Sequence, residues 1–108
     1  MISPTEIEII KNEIASMSDE ELEARKEIFY GDLRRSFNPA ISETYTDHDR
    51  LILTEKIVWI DMRLEGISDG GIKSWAFRLK RRVYYGNKAR KNKDLWWVMM
   101  IITFLRKF

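Results

Sequence analysis

Ile72-Lys73-Ser74-Trp75-Ala76-Phe77-Arg78-Leu79-Lys80-Arg81-Arg82-Val83-Tyr84-Tyr85 is the stretch whose reading decides the fold. Trp75, Phe77, Leu79, Val83 and Tyr85 alternate with Ala76, Arg78, Lys80, Arg82 and Tyr84, and Arg81 is the one break in the apolar series. A period of two puts apolar side chains on one face and polar ones on the other, which is the pattern of a half-buried strand. The same residues also fit a helix, in which Ile72, Trp75, Ala76, Leu79 and Val83 share a face. Aromatic and β-branched residues favour the strand, so the strand is the expectation.

Downstream, Gly86 to Asp94 reads as a loop carrying Lys88, Arg90, Lys91 and Lys93. Leu95 to Leu105 is then apolar except for Thr103. It is too short to cross a bilayer as a helix, which takes about 20 residues. It fits a buried strand or a buried helix, and periodicity does not separate the two.

Upstream, the signals are helical. Ser3, Pro4 and Glu6 make a capping box with proline at the first helical position. Ile2 and Ile7 can staple that end, and Ile7, Ile10, Ile14 and Met17 follow as a stripe. Ser18 and Glu21 repeat the start, with Met17 and Leu22 as the second staple. Leu22, Phe29 and Leu33 share a face with Ile28 beside it, and Asn38-Pro39 stops the helix. Phe37 to Tyr45 is a short loop. The third helix runs from about Thr46 or Asp47 to Glu65, with Leu53, Ile57, Ile60 and Leu64 as its stripe and Leu51, Val58 and Met62 widening it. Gly66 suits a C-terminal cap, and Ser68-Asp69-Gly70-Gly71 suits a turn. The expected fold is therefore α+β: three N-terminal helices packed on a C-terminal β-hairpin or small antiparallel sheet. An all-α bundle is the runner-up.

One domain of 108 residues accommodates this, and 44% hydrophobic residues suit a folded core. The chain has no cysteine, which fits a reducing compartment, so a cytoplasmic location is expected. Met1 to Ile10 does not read as a signal peptide. Charge divides the chain sharply. Residues 1–65 hold 8 Lys/Arg against 15 Asp/Glu, a net −7, and residues 66–108 hold 11 against 2, a net +9. An acidic half joined to a basic, aromatic-rich half points to nucleic acid or to a nucleic-acid-binding protein as partner. Alternatively the halves face each other, within one fold or between copies in a homo-oligomer.

Arg78, Lys80, Arg81, Arg82, Lys88, Arg90, Lys91 and Lys93 crowd together with Tyr84 among them. Cations displace counterions from phosphates, and flat rings stack on bases, so these residues are the candidate nucleic-acid-binding set. As a strand, Arg78, Lys80, Arg82 and Tyr84 would project on one face. His48, beside Asp47 and Asp49, reads as an exposed helix-start residue rather than a general base. Asp47, Asp49, Glu55, Asp61 and Glu65 read as the wet face of the third helix, and no metal site, cofactor or catalytic residue is expected. Glu20, Glu23 and Glu27 are the alternative interaction residues.

Trp75-Ala76-Phe77-Arg78-Leu79, then Arg82-Val83-Tyr84-Tyr85, then Phe104-Leu105-Arg106-Lys107 resemble the last three strands of RelE-type toxin ribonucleases. The resemblance covers about the last third of the chain and lacks that family's opening strand. It implies a messenger-RNA-cleaving sheet with Arg78, Arg82 and Tyr84 as site residues. The leading expectation is a non-enzymatic module binding nucleic acid or a nucleoprotein. A protein-interaction or inhibitor module of phage or mobile-element type, docking on a nucleic-acid enzyme, and a RelE-like ribonuclease are the alternatives.

Overall fold

The structure, a computed structural model, describes residues 2–90. It holds α1 (Pro4–Ala15), α2 (Asp19–Arg35), α3 (Asp47–Leu64) and α4 (Gly71–Arg90), with a single 3-10 turn at Ser42–Thr44 between α2 and α3. The helix starts are built as the caps dictate. The Ser3 hydroxyl accepts from the Glu6 N–H, and the Glu6 carboxylate accepts from the Ser3 N–H. Thr46 and Asp49 make the same reciprocal pair at α3, and the Ser18 hydroxyl accepts from the Glu21 N–H at α2. Each cap satisfies an N–H that would otherwise lack an intrahelical partner.

The end of α3 is equally defined. Gly66 takes φ +70. Its N–H donates to the Arg63 carbonyl at 3.2 Å, and the Ile67 N–H donates to the Met62 carbonyl at 3.0 Å. This is a Schellman closure, in which a left-handed residue after the helix is easiest for glycine. The chain then reverses through Gly70 and Gly71 into α4.

α3 is the centre of the molecule and packs against α1, α2 and α4, while α2 also touches α4. Ile10 and Ile14 of α1 meet Leu22 of α2 and Trp59, Ile60 and Met62 of α3 in one cluster. Leu33 of α2, Ile57 and Val58 of α3, and Tyr85 and Ala89 of α4 form the other. Every residue from Ile57 to Met62 is buried, so mid-α3 is enclosed on all sides rather than along one stripe. Burying a side chain such as Leu22 or Ile57 contributes roughly 1.5–3 kcal/mol.

The α+β expectation is overturned. Among the described residues there is no strand, and residues 72–85 lie within α4. The molecule is a helical bundle, as the runner-up had it. Gly86 to Arg90, expected in a loop, continues the same helix, while Lys91, Lys93 and the apolar run 95–105 lie outside the described residues. The physical reason is the register of the charges. At 3.6 residues per turn, Ser74, Arg78, Arg81, Arg82, Tyr85 and Ala89 fall on one side of α4. That side meets the carboxylates of α3, whereas a strand would set Arg81 and Tyr85 opposite Arg78 and Arg82. Ala, Leu, Arg and Lys are also good helix formers, which offsets the aromatic content. The RelE resemblance falls with the strand, because its first two segments are α4 and its third lies outside the described residues. Among individual residues, Leu51, Ile28 and Ile72 are exposed, although their spacing puts each on or beside an apolar face.

Candidate nucleic-acid interface on α4

Two buried carboxylates on α3 organise the inner side of α4. Asp61 is 2% exposed. It receives Lys26 of α2 at 2.6 Å, Arg81 of α4 at 3.1 Å and the Tyr85 hydroxyl of α4. One carboxylate thus joins three helices. Burial works against the charge on Lys26, but its bonds to Asp61 and Tyr85 hold its pKa above the usual lysine value. Burial, and then the bond to Asp61, push the Tyr85 hydroxyl above the usual phenol range. Arg81 also bonds Glu65 at 2.9 Å. Glu55, 6% exposed, accepts from Trp59 Nε1 at 3.1 Å and from both Nε and Nη2 of Arg82. Neither Glu55 nor Asp61 is on a wet face; both expectations are corrected, because Asp61 lies in the fully enclosed stretch of α3 and Glu55 is covered by Trp59 and by Arg82 of α4.

A third carboxylate closes the turn before α4. Asp69 takes Lys11 of α1 at 2.5 Å and Arg78 of α4 at 3.5 Å. The bond from Lys11 holds the Asp69 carboxyl below its usual range. Both cations also sit on the Trp59 ring, Lys11 at 5.4 Å and Arg78 at 4.9 Å from its centroid. Cations over an indole face are electrostatically favoured. Arg78, Arg81 and Arg82, three of the residues assigned to nucleic acid, therefore bind carboxylates of the same chain.

The outer side of α4 differs. Lys73, Lys80, Tyr84 and Lys88 are exposed. At 100° per residue they fall within an arc of roughly 80°. Lys73 and Lys80 make no ion pair among the described residues. Tyr84 stands edge-on to Tyr85, centroids 5.1 Å apart. The Lys88 ammonium lies 5.1 Å from the Tyr30 centroid and 5.5 Å from that of Tyr84. The structure thus splits the predicted basic set. Lys80, Tyr84 and Lys88 come together on the outer arc, joined by Lys73, which sequence reasoning missed. Arg90 is the last residue of α4.

Elsewhere, Glu20, Glu23 and Glu27 are exposed on α2. His48 is exposed at the start of α3, its Nε2 2.8 Å from Glu6 Oε2. The signal that marked Asp61 as internal was present in the sequence. It lies three and four residues after Val58 and Ile57, and therefore on their face. Among the described residues, no cluster of acids and histidine is placed to hold a metal ion, and no helix is long and apolar enough to cross a membrane. The chain matches no protein-family model, no curated protein and no solved structure.

Proposed function

We propose that this protein is a small non-enzymatic helical module that binds nucleic acid, alone or within a nucleoprotein, through the outer arc of α4. The observation that carries the reading is the exposure of Lys73, Lys80, Tyr84 and Lys88 on one side of one helix. Lys73 and Lys80 are about 10 Å apart along the axis, and Lys80 and Lys88 about 12 Å, at 1.5 Å rise per residue. A row of cations of that length can meet several phosphates and release their counterions. Arg90, Lys91 and Lys93 continue the basic run in the sequence.

The test is fluorescence-anisotropy titration of short labelled DNA and RNA at low and moderate salt. The proposal expects micromolar or tighter binding that weakens with salt, and weakens further when Lys73, Lys80 and Lys88 are replaced by alanine. No binding at low salt would sink it.

A second reading has its own support. Glu20, Glu23 and Glu27 are exposed on α2 and make no ion pair among the described residues. Such a face suits docking in the basic groove of a nucleic-acid enzyme, as an inhibitor of phage or mobile-element type would. Capture of such an enzyme by the wild type, lost on replacing the three glutamates by glutamine, would favour this reading over the first.

A further inference from the structure

We infer that the outer arc of α4 selects single-stranded over double-stranded nucleic acid, with Tyr84 as the stacking residue; this rests on the nucleic-acid reading above. Tyr84 is 43% exposed, while the neighbouring Tyr85 ring is buried and Tyr30 is half-buried. Its neighbour Tyr85 is buried and bonded to Asp61, and Tyr85 is also 6.0 Å from Tyr30. The edge-on contact with Tyr85 gives the Tyr84 ring a packed neighbour on one side. A ring packed on one side loses less freedom on binding than a mobile one.

The flanking charges complete the arrangement. Lys80 and Lys88 sit one helical turn before and one after Tyr84, on the same arc. An aromatic ring between two cations at one-turn spacing offers a stacking surface with a phosphate contact on either side. Lys88 rests over the rings of Tyr30 and Tyr84 and is exposed, so its flexible stem can carry the ammonium to a phosphate while staying beside the platform. In a duplex the base faces are occupied by their neighbours in the stack. A tyrosine standing on a convex helix can reach a base face only when the base is unpaired. The lysines serve either form, whereas the ring serves only the single strand.

Arg78, Arg81 and Arg82 are engaged instead with Asp69, Asp61 and Glu55. The described footprint is therefore narrow, one ring and three lysines, which suits a contact of a few nucleotides.

The experiment uses the full chain and two probes, a labelled mixed-sequence 12-nucleotide DNA strand and the same strand annealed to its complement. The wild type is expected to bind the single strand several-fold more tightly. Tyr84→Ala is expected to weaken single-strand binding by roughly fivefold to a hundredfold, since one base–aromatic stack accounts for a change of that order, and to weaken duplex binding much less. Tyr84→Phe keeps the ring and is expected to retain the preference. Lys80→Ala should weaken both forms alike. Equal affinity of the wild type for the two probes, or equal losses for both with Tyr84→Ala, would overturn the single-strand inference and leave the nucleic-acid reading standing. Failure to bind either probe would overturn both. A circular dichroism spectrum and melting temperature of each variant identify any loss caused by unfolding.

Discussion

Lys80 and Arg81 are adjacent in sequence and lie on different sides of the same helix. Arg81 bonds the buried Asp61 and the more exposed Glu65, while Lys80 is exposed and makes no ion pair among the described residues. Arg78 and Arg82 belong with Arg81, and Lys73 and Lys88 with Lys80. The division follows residue type as well as position. Arginine's planar, many-donor head suits a buried carboxylate that it can bond through two N–H groups at once, as Arg82 bonds Glu55. Lysine's compact, strongly hydrated charge suits an exposed arc in contact with water. Equal formal charge on one helix is therefore divided, paired with carboxylates of the bundle on one side and exposed on the other, where the proposed anionic partner would bind.

The inner side is where substitution should cost most. Asp61→Ala leaves Lys26, Arg81 and the Tyr85 hydroxyl without their shared acceptor, and it should destabilise the fold by about 3 kcal/mol or more, as loss of one partner in a buried charge network does. Urea unfolding followed by circular dichroism measures this. Arg82→Ala leaves the buried Glu55 with only the Trp59 N–H among the described residues, and an expected cost of about 2 kcal/mol reflects a poorly satisfied carboxylate. Lys73→Ala in the same assay should change stability by no more than about 0.5 kcal/mol, as exposed positions without such partners do. A Lys73→Ala cost as large as that of Arg82→Ala would erase the contrast between the sides.

Acid should reveal a smaller, separate contribution. A backbone bond from Ser3 first of all holds Glu6 below its usual 4.5. Bonds from Thr46 and from Lys11 respectively hold Asp49 and Asp69 below 3.8. A carboxylate with a depressed pKa in the fold stabilises it fully above the unfolded value, and that stabilisation is lost as pH falls through the folded value. The melting temperature should therefore be level from pH 7 to 5 and fall below about 4.5. Glu6→Gln and Asp49→Asn remove the titrating groups themselves and should flatten that fall, whereas Ser3→Ala and Thr46→Ala keep the backbone N–H donors and should flatten it less.

The helical starts were legible because capping chemistry is local: Ser3, Ser18 and Thr46 each bond an N–H three residues on. Gly66 was legible for the same reason. α4 was not, because its sequence satisfies a period of two and a period of 3.6 together. What decides between them is the position of Glu55, Asp61 and Glu65 in space, 16 to 27 residues away in sequence. The charge asymmetry of the halves was visible, but its destination was not. Much of the basic character faces α3, as the reading in which the halves meet within one fold allowed. Only the remainder, Lys73, Lys80 and Lys88 with Tyr84, is left as a described surface.

The most direct test of this division compares the salt dependence of nucleic-acid affinity in Lys80→Ala and Arg81→Ala, each at a temperature where it is folded. Loss of one phosphate contact lowers the slope of log affinity against log salt by about 0.7 for a single strand. The account predicts that decrease for Lys80→Ala and an unchanged slope, with a lowered melting temperature, for Arg81→Ala. A slope reduced equally by Arg81→Ala, or untouched by Lys80→Ala, would contradict it.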